Sequence, residues 1–132
     1  MTDSIFTKIV RGEITCHKVY EDDKTLAFLD INPIQKGQVL VVPKKQVGFV
    51  WDLSHDDFQA LMSAVQKAGQ RIRQVFPDKS RVGVMIEGLE VADHAHVKIF
   101  PFSTEEEYRS KPAEEEKPSE VELAQLAKKL AF

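Results

Sequence analysis

Cysteine is almost absent from the sequence: Cys16 is the single one among 132 residues. One cysteine cannot form an intramolecular disulfide, and it cannot supply the paired thiolates of a Cys-x-x-Cys zinc site. Long apolar runs are missing as well. The longest, Val39–Pro43 and Phe49–Trp51, are far too short to cross a bilayer, and the first residues lack the apolar core of a signal peptide. We therefore expect a cytoplasmic protein that does not enter a membrane.

An excess of positive charge is also missing. The formal net charge is −3, with 18 lysines and arginines against 21 aspartates and glutamates. A protein that binds nucleic acid through its phosphates usually shows a basic excess, so we expect no nucleic-acid partner. Net charge says little about one pocket, however, and the four histidines and the basic residues can still form a local anion site.

The hydrophobic pattern predicts one α+β domain. Ser4 can cap a short N-terminal helix that Gly12 ends, and Ser54 can cap a long amphipathic helix that Pro77 ends. The segments predicted to be strands are Val19–Glu21, Thr25–Asp30, Gln38–Pro43, Arg81–Ile86 and Ala95–Phe100. This order of elements is typical of an antiparallel sheet with one long helix packed on it.

The composition changes towards the C-terminus. Residues 103–120 are rich in Glu, Lys, Pro and Ser without apolar periodicity, which predicts a solvated connector. Ser119 and Glu122 can then form a capping box for a C-terminal helical tail. The tail has an apolar stripe made by Leu123, Leu126, Ala127 and Leu130. This stripe needs to be buried, either on this subunit or on a partner.

The segment from Asp93 to Pro101 reads DHAHVKIFP. In a strand, side chains alternate between the two faces of the sheet, so His94, His96 and Lys98 are expected to project together from one face. Three cationic or cationisable side chains at this spacing repel one another when all are charged, and an anion lying across the row would relieve this. A phosphate is the obvious candidate, because an imidazole can attack phosphorus as well as hold it.

Two other interpretations of this row stay open. Two histidines on one strand face can arise by chance on a solvated face. His94 and His96, with Asp93 beside them, can also bind a transition metal, although a third ligand at a fixed distance cannot be identified from the sequence. We expect neither a metal ion nor an organic cofactor.

The HAHVK segment resembles the motif of the histidine triad family, in which three histidines alternate with apolar residues. The segments IFTKIVRGEI, VYEDDKTLAFLDINP and KGQVLVVPKK resemble the N-terminal signature of that family in order and spacing. The resemblance implies a histidine-triad-like fold and a homodimer in which the sheets of two subunits are joined. It implies a nucleotide-binding domain at residues 1–102, with the acidic connector and the tail, residues 103–132, outside it.

The resemblance also implies a chemistry for the histidines. Each subunit of a family member binds a nucleoside phosphate, and we expect a ligand similar to a purine nucleoside monophosphate. The middle histidine attacks the α-phosphorus and forms a nucleotidyl-histidine that water then hydrolyses; His96 matches that position. His94 matches the first histidine, which supports the site and its proton placement.

Four further positions are candidates for binding the nucleoside. Asp30 matches the acidic residue that holds the ribose hydroxyls, and a carboxylate suits a vicinal diol because it accepts two hydrogen bonds. It can equally cap the turn that follows it. Ile31 matches an apolar residue beside the base. Phe6 and Phe28 can extend that apolar wall, or they can be plain core residues.

The sequence departs from the family pattern in the residues around the phosphate. Lys98 replaces the third histidine, which keeps a positive charge but is a poorer proton shuttle near neutral pH. Gln38 stands where many members have a fourth histidine and can donate a hydrogen bond to phosphate or substrate. Gln46 replaces another histidine, to which we attach little function. The loop at residues 87–93 carries three carboxylates, which are unfavourable near a phosphate unless they turn outward or pair with Lys98.

These observations predict a divergent enzyme, a nucleotide hydrolase or nucleotidyl transferase. It would act on a nucleoside phosphate ester, anhydride or phosphoramidate through a nucleotidyl-histidine intermediate, with His96 as nucleophile and His94, Lys98 and Gln38 around the phosphate. The alternative is a non-catalytic module that binds or senses a nucleotide and keeps Asp30 and the cationic row for binding.

Overall fold

The computed structural model describes residues 2–112 and 116–132, and these form an α+β domain, as predicted. The helices are α1 (Ile5–Val10), α2 (His55–Val75), α3 (Glu105–Arg109) and α4 (Glu120–Leu130), with a short 3₁₀ helix at Val50–Asp52 before α2. The strands are β1 (Lys18–Glu21), β2 (Thr25–Leu29), β3 (Val39–Pro43), β4 (Arg81–Met85) and β5 (Val97–Phe102). Among the described helices, none combines the length and the apolar character needed to span a membrane.

The strands form one antiparallel sheet in the order β1-β2-β3-β5-β4. Short connections join β1, β2 and β3, and the chain then crosses the sheet through α2 before it forms β4 and β5. Strand β5 therefore lies between β3 and β4, with Lys98 directly opposite Leu40 of β3. This register places the C-terminal half of the histidine-containing segment in the interior of the sheet.

The two faces of the sheet belong to two apolar clusters. The α2 face carries Ala27 and Leu29 and is covered by α2 and α4, whereas the α1 face carries Leu26 and Phe28 and is covered by Phe6 of α1. The division follows from the strand geometry, because successive side chains point to opposite faces. By the same alternation Lys98, paired with Leu40, belongs to the α1 face.

Polar side chains begin the four α-helices α1 to α4, and those of α1, α2 and α4 are the predicted ones. Ser4, Ser54 and Ser119 each accept a hydrogen bond from the backbone N–H three residues further on, and Thr104 does the same for α3. These bonds satisfy donors that a helix leaves unpaired in its first turn. After α1 the chain reverses at Gly12, whose φ of 80° lies in the left-handed region that favours glycine.

The structure corrects the predicted strand boundaries at the histidine-containing segment. Strand β5 begins at Val97, so His94 and His96 precede it instead of lying within it. The physical reason is a change of partner, since Ala95 N donates to Val47 O at 2.7 Å in the loop after β3. The predicted alternation is nevertheless kept, with Ala95 and Val97 buried in the cluster of the α2 face.

The connector is more ordered than its composition suggests. Residues Glu105–Arg109 form α3, whose Tyr108 packs on Phe102 with 4.9 Å between ring centroids and donates from its hydroxyl to Val84 O at 3.1 Å. The part of the predicted connector at residues 113–115 lies outside the described residues. The connector is thus attached to the sheet through an aromatic contact.

The apolar stripe of α4 is buried on this subunit. Leu123, Leu126 and Leu130 belong to the cluster of the α2 face. Beyond the helix, the ring of Phe132 stacks on Tyr20 with centroids 4.6 Å apart, and Phe132 N donates to Val19 O at 3.0 Å. The tail therefore completes the core beneath β1 and β2.

Shortening Leu130 to alanine is expected to lower the free energy of unfolding by about 2–5 kcal/mol, because the side chain is only 1% exposed and its removal leaves a cavity. Val121→Ala on the same helix, where the side chain is 68% exposed, should change it by less than about 0.5 kcal/mol. Urea denaturation followed by circular dichroism measures both. Equal losses for the two variants would show that α4 does not pack as described.

Candidate functional site

His94 is fully buried, with 0% of its surface exposed, and both of its ring nitrogens are paired. Nδ1 lies 2.7 Å from Ser4 Oγ, and Nε2 lies 2.8 Å from the carbonyl oxygen of Pro43. A carbonyl oxygen can only accept, so Nε2 carries the proton and Nδ1 accepts from the serine hydroxyl. Burial lowers the pKa of His94 below its ordinary value, although the Pro43 carbonyl and Asp93 act in the opposite direction. The lowered pKa and the bond to the Pro43 carbonyl both favour the neutral imidazole with its proton on Nε2.

His96 is held through the backbone of His94. Its Nδ1 donates to the His94 carbonyl oxygen at 3.0 Å, which leaves Nε2 as the nitrogen with the free lone pair. Among the described residues, no hydrogen-bond partner is found for Nε2. The ring of Phe6 meets the His96 ring edge-to-face, with centroids 5.3 Å apart, and the residue is only 2% exposed. In this tautomer the lone pair of Nε2 is not used by the protein, which is the form in which a neutral imidazole can act as a nucleophile.

Lys98 lies on the same face but is already paired. Its Nζ is 3.2 Å from Glu87 Oε1 and 3.2 Å from Glu90 Oε1. Burial pulls the pKa of Lys98 down, but the hydrogen bonds and negative charges of Glu90 and Glu87 outweigh it and the pKa is raised. Of the two alternatives for the loop carboxylates, turning outward or pairing with Lys98, Glu87 and Glu90 take the second. The cation of the row is thus neutralised within the chain.

The loop that supplies these carboxylates also covers the α1 face. Val91 packs against the cluster formed by Phe6, Phe28 and their neighbours. In this arrangement the loop at residues 87–93 closes over the side of the sheet that carries the histidines. Glu87 and Glu90 therefore occupy two of the three donor positions of the Lys98 ammonium.

Asp30 and Gln38 form a second polar pair. Asp30 Oδ1 accepts from Asn32 N at 2.8 Å, so the residue does cap its turn, and Oδ2 accepts from Gln38 Nε2 at 2.7 Å. Gln38 Oε1 in turn accepts from Ile34 N at 2.9 Å. Burial raises the pKa of Asp30, while the bonds from Asn32 and Gln38 oppose this rise.

This pairing changes the interpretation of Gln38. Its amide N–H donates to Asp30 and its amide oxygen accepts from Ile34 N. Neither of these two bonds directs a donor towards a phosphate. Each oxygen of Asp30 keeps a second lone pair, so the carboxylate can still accept from two hydroxyl groups. A contact between Gln38 and phosphate stays a prediction.

The apolar candidates divide into buried and exposed residues. Phe6 and Phe28 are buried in the α1-face cluster with ring centroids 5.7 Å apart, which fits the interpretation as core residues. Ile31 is 63% exposed beside Asp30 and is free to contact a ligand. Phe6 does more than fill the core, because its ring contacts both His94 and His96.

A cavity of about 450 Å³ opens beside Asp30 and Gln38, between the β2–β3 loop, α3 and α4. The residues lining it do not include His94, His96 or Lys98. The structure therefore brings the predicted site residues into two groups, the histidines with Lys98 under the loop and Asp30 with Gln38 at the cavity. The two groups are close enough for the charges of Lys98 and Glu90 to affect the pKa of Asp30.

Three residues that support the site, Ser4, Thr7 and Gln46, were not predicted to belong to it. Gln46 Oε1 accepts from Ser4 N and from Thr7 Oγ1, each at 2.8 Å, and Ser4 and Thr7 both contact His94. The sequence signal was the predicted cap at Ser4. Nothing in the sequence connects that cap to a glutamine 42 positions further along the chain.

The donor geometry does not favour the metal interpretation of Asp93, His94 and His96. Both ring nitrogens of His94 are committed to protein partners. Within residues 2–112 and 116–132, no group of three or more His, Cys, Asp and Glu side chains is arranged to hold a metal ion.

The sheet with its long helix and the HAHVK segment together define a protein of the histidine triad type. The family model of the HIT domain matches residues 11–105, and the chain belongs to this family. Adenosine 5′-monophosphoramidase of Schizosaccharomyces pombe is 38% identical over 106 residues, which cover 77% of this chain and 76% of that protein. Adenylylsulfatase of Arabidopsis thaliana is 32% identical over 102 residues, covering 75% of this chain and 52% of that protein.

The crystal structure of a HIT-like protein from Bartonella henselae is similar over nearly the whole chain. It has a TM-score of 0.83 and 30% sequence identity, and the match covers 97% of this chain and 93% of that one. The family model ends at residue 105, whereas this match extends further. The similarity in fold therefore includes residues of the C-terminal tail.

The neutral state of His94 predicts a pH dependence of stability. Its pKa in the folded state lies below the ordinary value of 6.5, so the unfolded chain takes up the proton first as the pH falls. The stabilisation is fully present above about pH 6.5 and is lost progressively on acidification. The drop in the free energy of unfolding between about pH 7.5 and pH 5.5 should be smaller in His94→Gln than in the wild type.

Denaturant titration at the two pH values measures this drop. His55→Gln, at an exposed position at the start of α2, is the matched control and should retain the dependence of the wild type. The same drop in His94→Gln as in the wild type would show that His94 is not its source.

Proposed function

We propose that this protein is a nucleotide hydrolase or nucleotidyl transferase that forms a covalent nucleotidyl intermediate on His96. The observation that carries the proposal is the hydrogen bond from His96 Nδ1 to the His94 carbonyl oxygen, since it leaves the lone pair on Nε2 available for attack on phosphorus. The names of two relatives, an adenosine 5′-monophosphoramidase and an adenylylsulfatase, support an adenylyl compound as substrate.

In the first step, the lone pair of His96 Nε2 attacks the α-phosphorus of the substrate. A P–N bond forms, the bond to the leaving group breaks, and the leaving group departs with the electron pair. The imidazole becomes positively charged, and its Nδ1 keeps its proton and continues to donate to the His94 carbonyl oxygen. In the second step, water attacks the phosphorus, the P–N bond breaks, its electron pair returns to Nε2, and a proton is released to solvent. An alcohol in place of water would make the reaction a transfer.

The leaving group follows from the proton donors at the site. His94 has both nitrogens committed, and Lys98 is held by two carboxylates, so neither is placed as a ready acid in this conformation. An acidic leaving group such as phosphate or sulfate needs no proton, whereas an amine or an alkoxide does. We therefore expect anhydrides to react faster than phosphate esters and phosphoramidates.

The nucleoside is held by residues of the domain at positions 1–102. Asp30 accepts the ribose hydroxyls through the lone pairs that Asn32 and Gln38 leave free. Ile31, which is exposed beside Asp30, contacts a purine base, and Phe6 and Phe28 form the apolar surface behind it. A homodimer, which the family resemblance implies, is part of this proposal.

A second candidate is a module that binds a nucleotide without turnover. The observation that favours it is the closed state of the site, in which His96 is buried and the charge of Lys98 is neutralised by Glu87 and Glu90. In this function the loop at residues 87–93 would open for a ligand, but no covalent bond to His96 would form.

The covalent step is tested by replacing the nucleophile. His96→Ala should lose the covalent adduct and reduce turnover at least about a thousandfold, because no other described group on this face offers a free imidazole nitrogen. A radiolabelled adenylyl phosphoramidate and a dinucleoside polyphosphate are each incubated with excess protein, and acid-labile adducts are isolated. His55→Ala is the control and should behave as the wild type.

The outcomes separate the two candidates. A wild-type rate in His96→Ala would contradict the assignment of the nucleophile. A wild-type protein that binds the nucleotide but forms neither adduct nor product would establish the binding module instead.

The carboxylates at Lys98 should weaken nucleotide binding. In Glu87→Gln/Glu90→Gln the ammonium is released for the phosphate and two repelling charges are removed, so the Kd for AMP should fall about tenfold. The control Glu13→Gln/Glu105→Gln removes two exposed carboxylates that pair with arginines elsewhere on the surface. Calorimetric titration measures both. An equal or weaker affinity than in the control would show that the carboxylates do not compete with phosphate.

A further inference from the structure

A polar cluster, buried at Ser4, Thr7 and His94 and partly exposed at Gln46, connects the start of α1 to the histidines. Gln46 Oε1 accepts from Ser4 N and from Thr7 Oγ1, each at 2.8 Å, and Gln46 Nε2 donates to Thr2 O at 2.8 Å. Ser4 Oγ accepts from Thr7 N at 2.9 Å and lies 2.7 Å from His94 Nδ1. Two segments far apart in sequence, the N-terminal residues and the loop after β3, therefore meet at His94.

The distances favour one place for each proton in this cluster. The Gln46 amide is oriented by the backbone N–H of Ser4 and the carbonyl of Thr2, so its oxygen takes the hydroxyl proton of Thr7. The hydroxyl proton of Ser4 is left for His94 Nδ1, which is the shorter of its two possible contacts, at 2.7 Å against 3.1 Å to Thr7 Oγ1. His94 Nε2–H donates to Pro43 O.

His94 transmits this order to His96. With its ring fixed at both nitrogens, the residue presents its carbonyl oxygen to His96 Nδ1, and that bond keeps the proton off His96 Nε2. Phe6 adds a second connection, because it belongs to the helix that Ser4 caps and its ring contacts both imidazoles.

We propose that Ser4, together with Thr7 and Gln46, is a positioning residue that holds His94 in its Nε2–H form and thereby aims Nε2 of His96 at the phosphorus. The catalytic part of this inference rests on the proposed function, whereas the protonation pattern does not. Ser4 touches no substrate in this scheme and acts through His94.

The chain contains matched controls for Ser4. Ser54 and Ser119 cap α2 and α4 with the same bond from the serine side chain to a backbone N–H three residues on. Their hydroxyl groups have no bond to a histidine among the described residues. Ser54→Ala and Ser119→Ala therefore reproduce the loss of a helix cap. They do not reproduce an effect that acts through His94.

The test uses the full chain with ¹⁵N-labelled histidine. In the wild type, NMR should show His94 protonated at Nε2 and His96 at Nδ1. In Ser4→Ala the His96 signals should show a mixture of tautomers, and kcat should fall about tenfold with KM changed less than about twofold, because one buried hydrogen bond that orients the nucleophile is lost. Ser4→Thr, which retains the hydroxyl group, should restore both. Ser54→Ala and Ser119→Ala should leave the tautomers and kcat unchanged.

Two results would overturn the inference. The first is the finding that His94 is protonated at Nδ1 in the wild type. This measurement needs no variant and is therefore informative even if Ser4→Ala does not fold. The second is a Ser4→Ala protein with wild-type tautomers and a kcat no lower than in the capping controls. Absence of turnover in the wild type would instead contradict the proposed function, and the NMR result would still decide the protonation pattern.

Discussion

A neutral imidazole that is wholly removed from water must have both of its nitrogens paired, and His94 meets this requirement with partners from two distant parts of the chain. Pro43 supplies the acceptor at the end of β3, and Ser4 supplies the donor at the start of α1. An unpaired polar atom at this depth would cost about 1–3 kcal/mol. Satisfying it draws α1, the loop after β3 and the segment before β5 together, and the position of His96 follows from that arrangement.

Lys98, in contrast to the neutral His94, is surrounded by charged groups. One buried ammonium faces two carboxylates of the neighbouring loop, so the immediate surroundings carry an excess of negative charge. Removing either carboxylate would leave less compensation for the buried ammonium, and removing Lys98 would leave two carboxylates without their cation. A histidine at this position would titrate near neutral pH, whereas Lys98, whose pKa is raised, stays charged.

Local rules predicted much of the fold from the sequence. The caps at Ser4, Ser54 and Ser119 are confirmed because N-capping depends on residues three positions apart. Helix α3 was not predicted, because it has no stripe of apolar residues. It is stabilised by the capping Thr104, by acidic residues in its first turn and by the aromatic contact of Tyr108.

The candidate site was predicted less completely, because some of its residues are positioned by contacts with residues far away in sequence. His94, His96 and Lys98 are close in sequence, and strand alternation was enough to group them. The roles of Gln46 and Gln38 depend on tertiary contacts: Gln46 reaches Ser4, and Gln38 is turned towards Asp30. Even the start of β5 was decided by a distant partner, the carbonyl of Val47. Short-range patterns carry no record of such bonds.

The strand order has a consequence for how the protein assembles. Strands β1, β2 and β3 are neighbours along the chain, whereas β5 reaches β3 only after α2 and β4 have been passed. Because closing a long loop costs entropy before its contacts form, the part of the site with Asp30 belongs to a local unit and the part with His96 joins it through a long-range step. A ligand that touches both parts would bind only the completed fold, and by mass action it would stabilise that fold against partial opening.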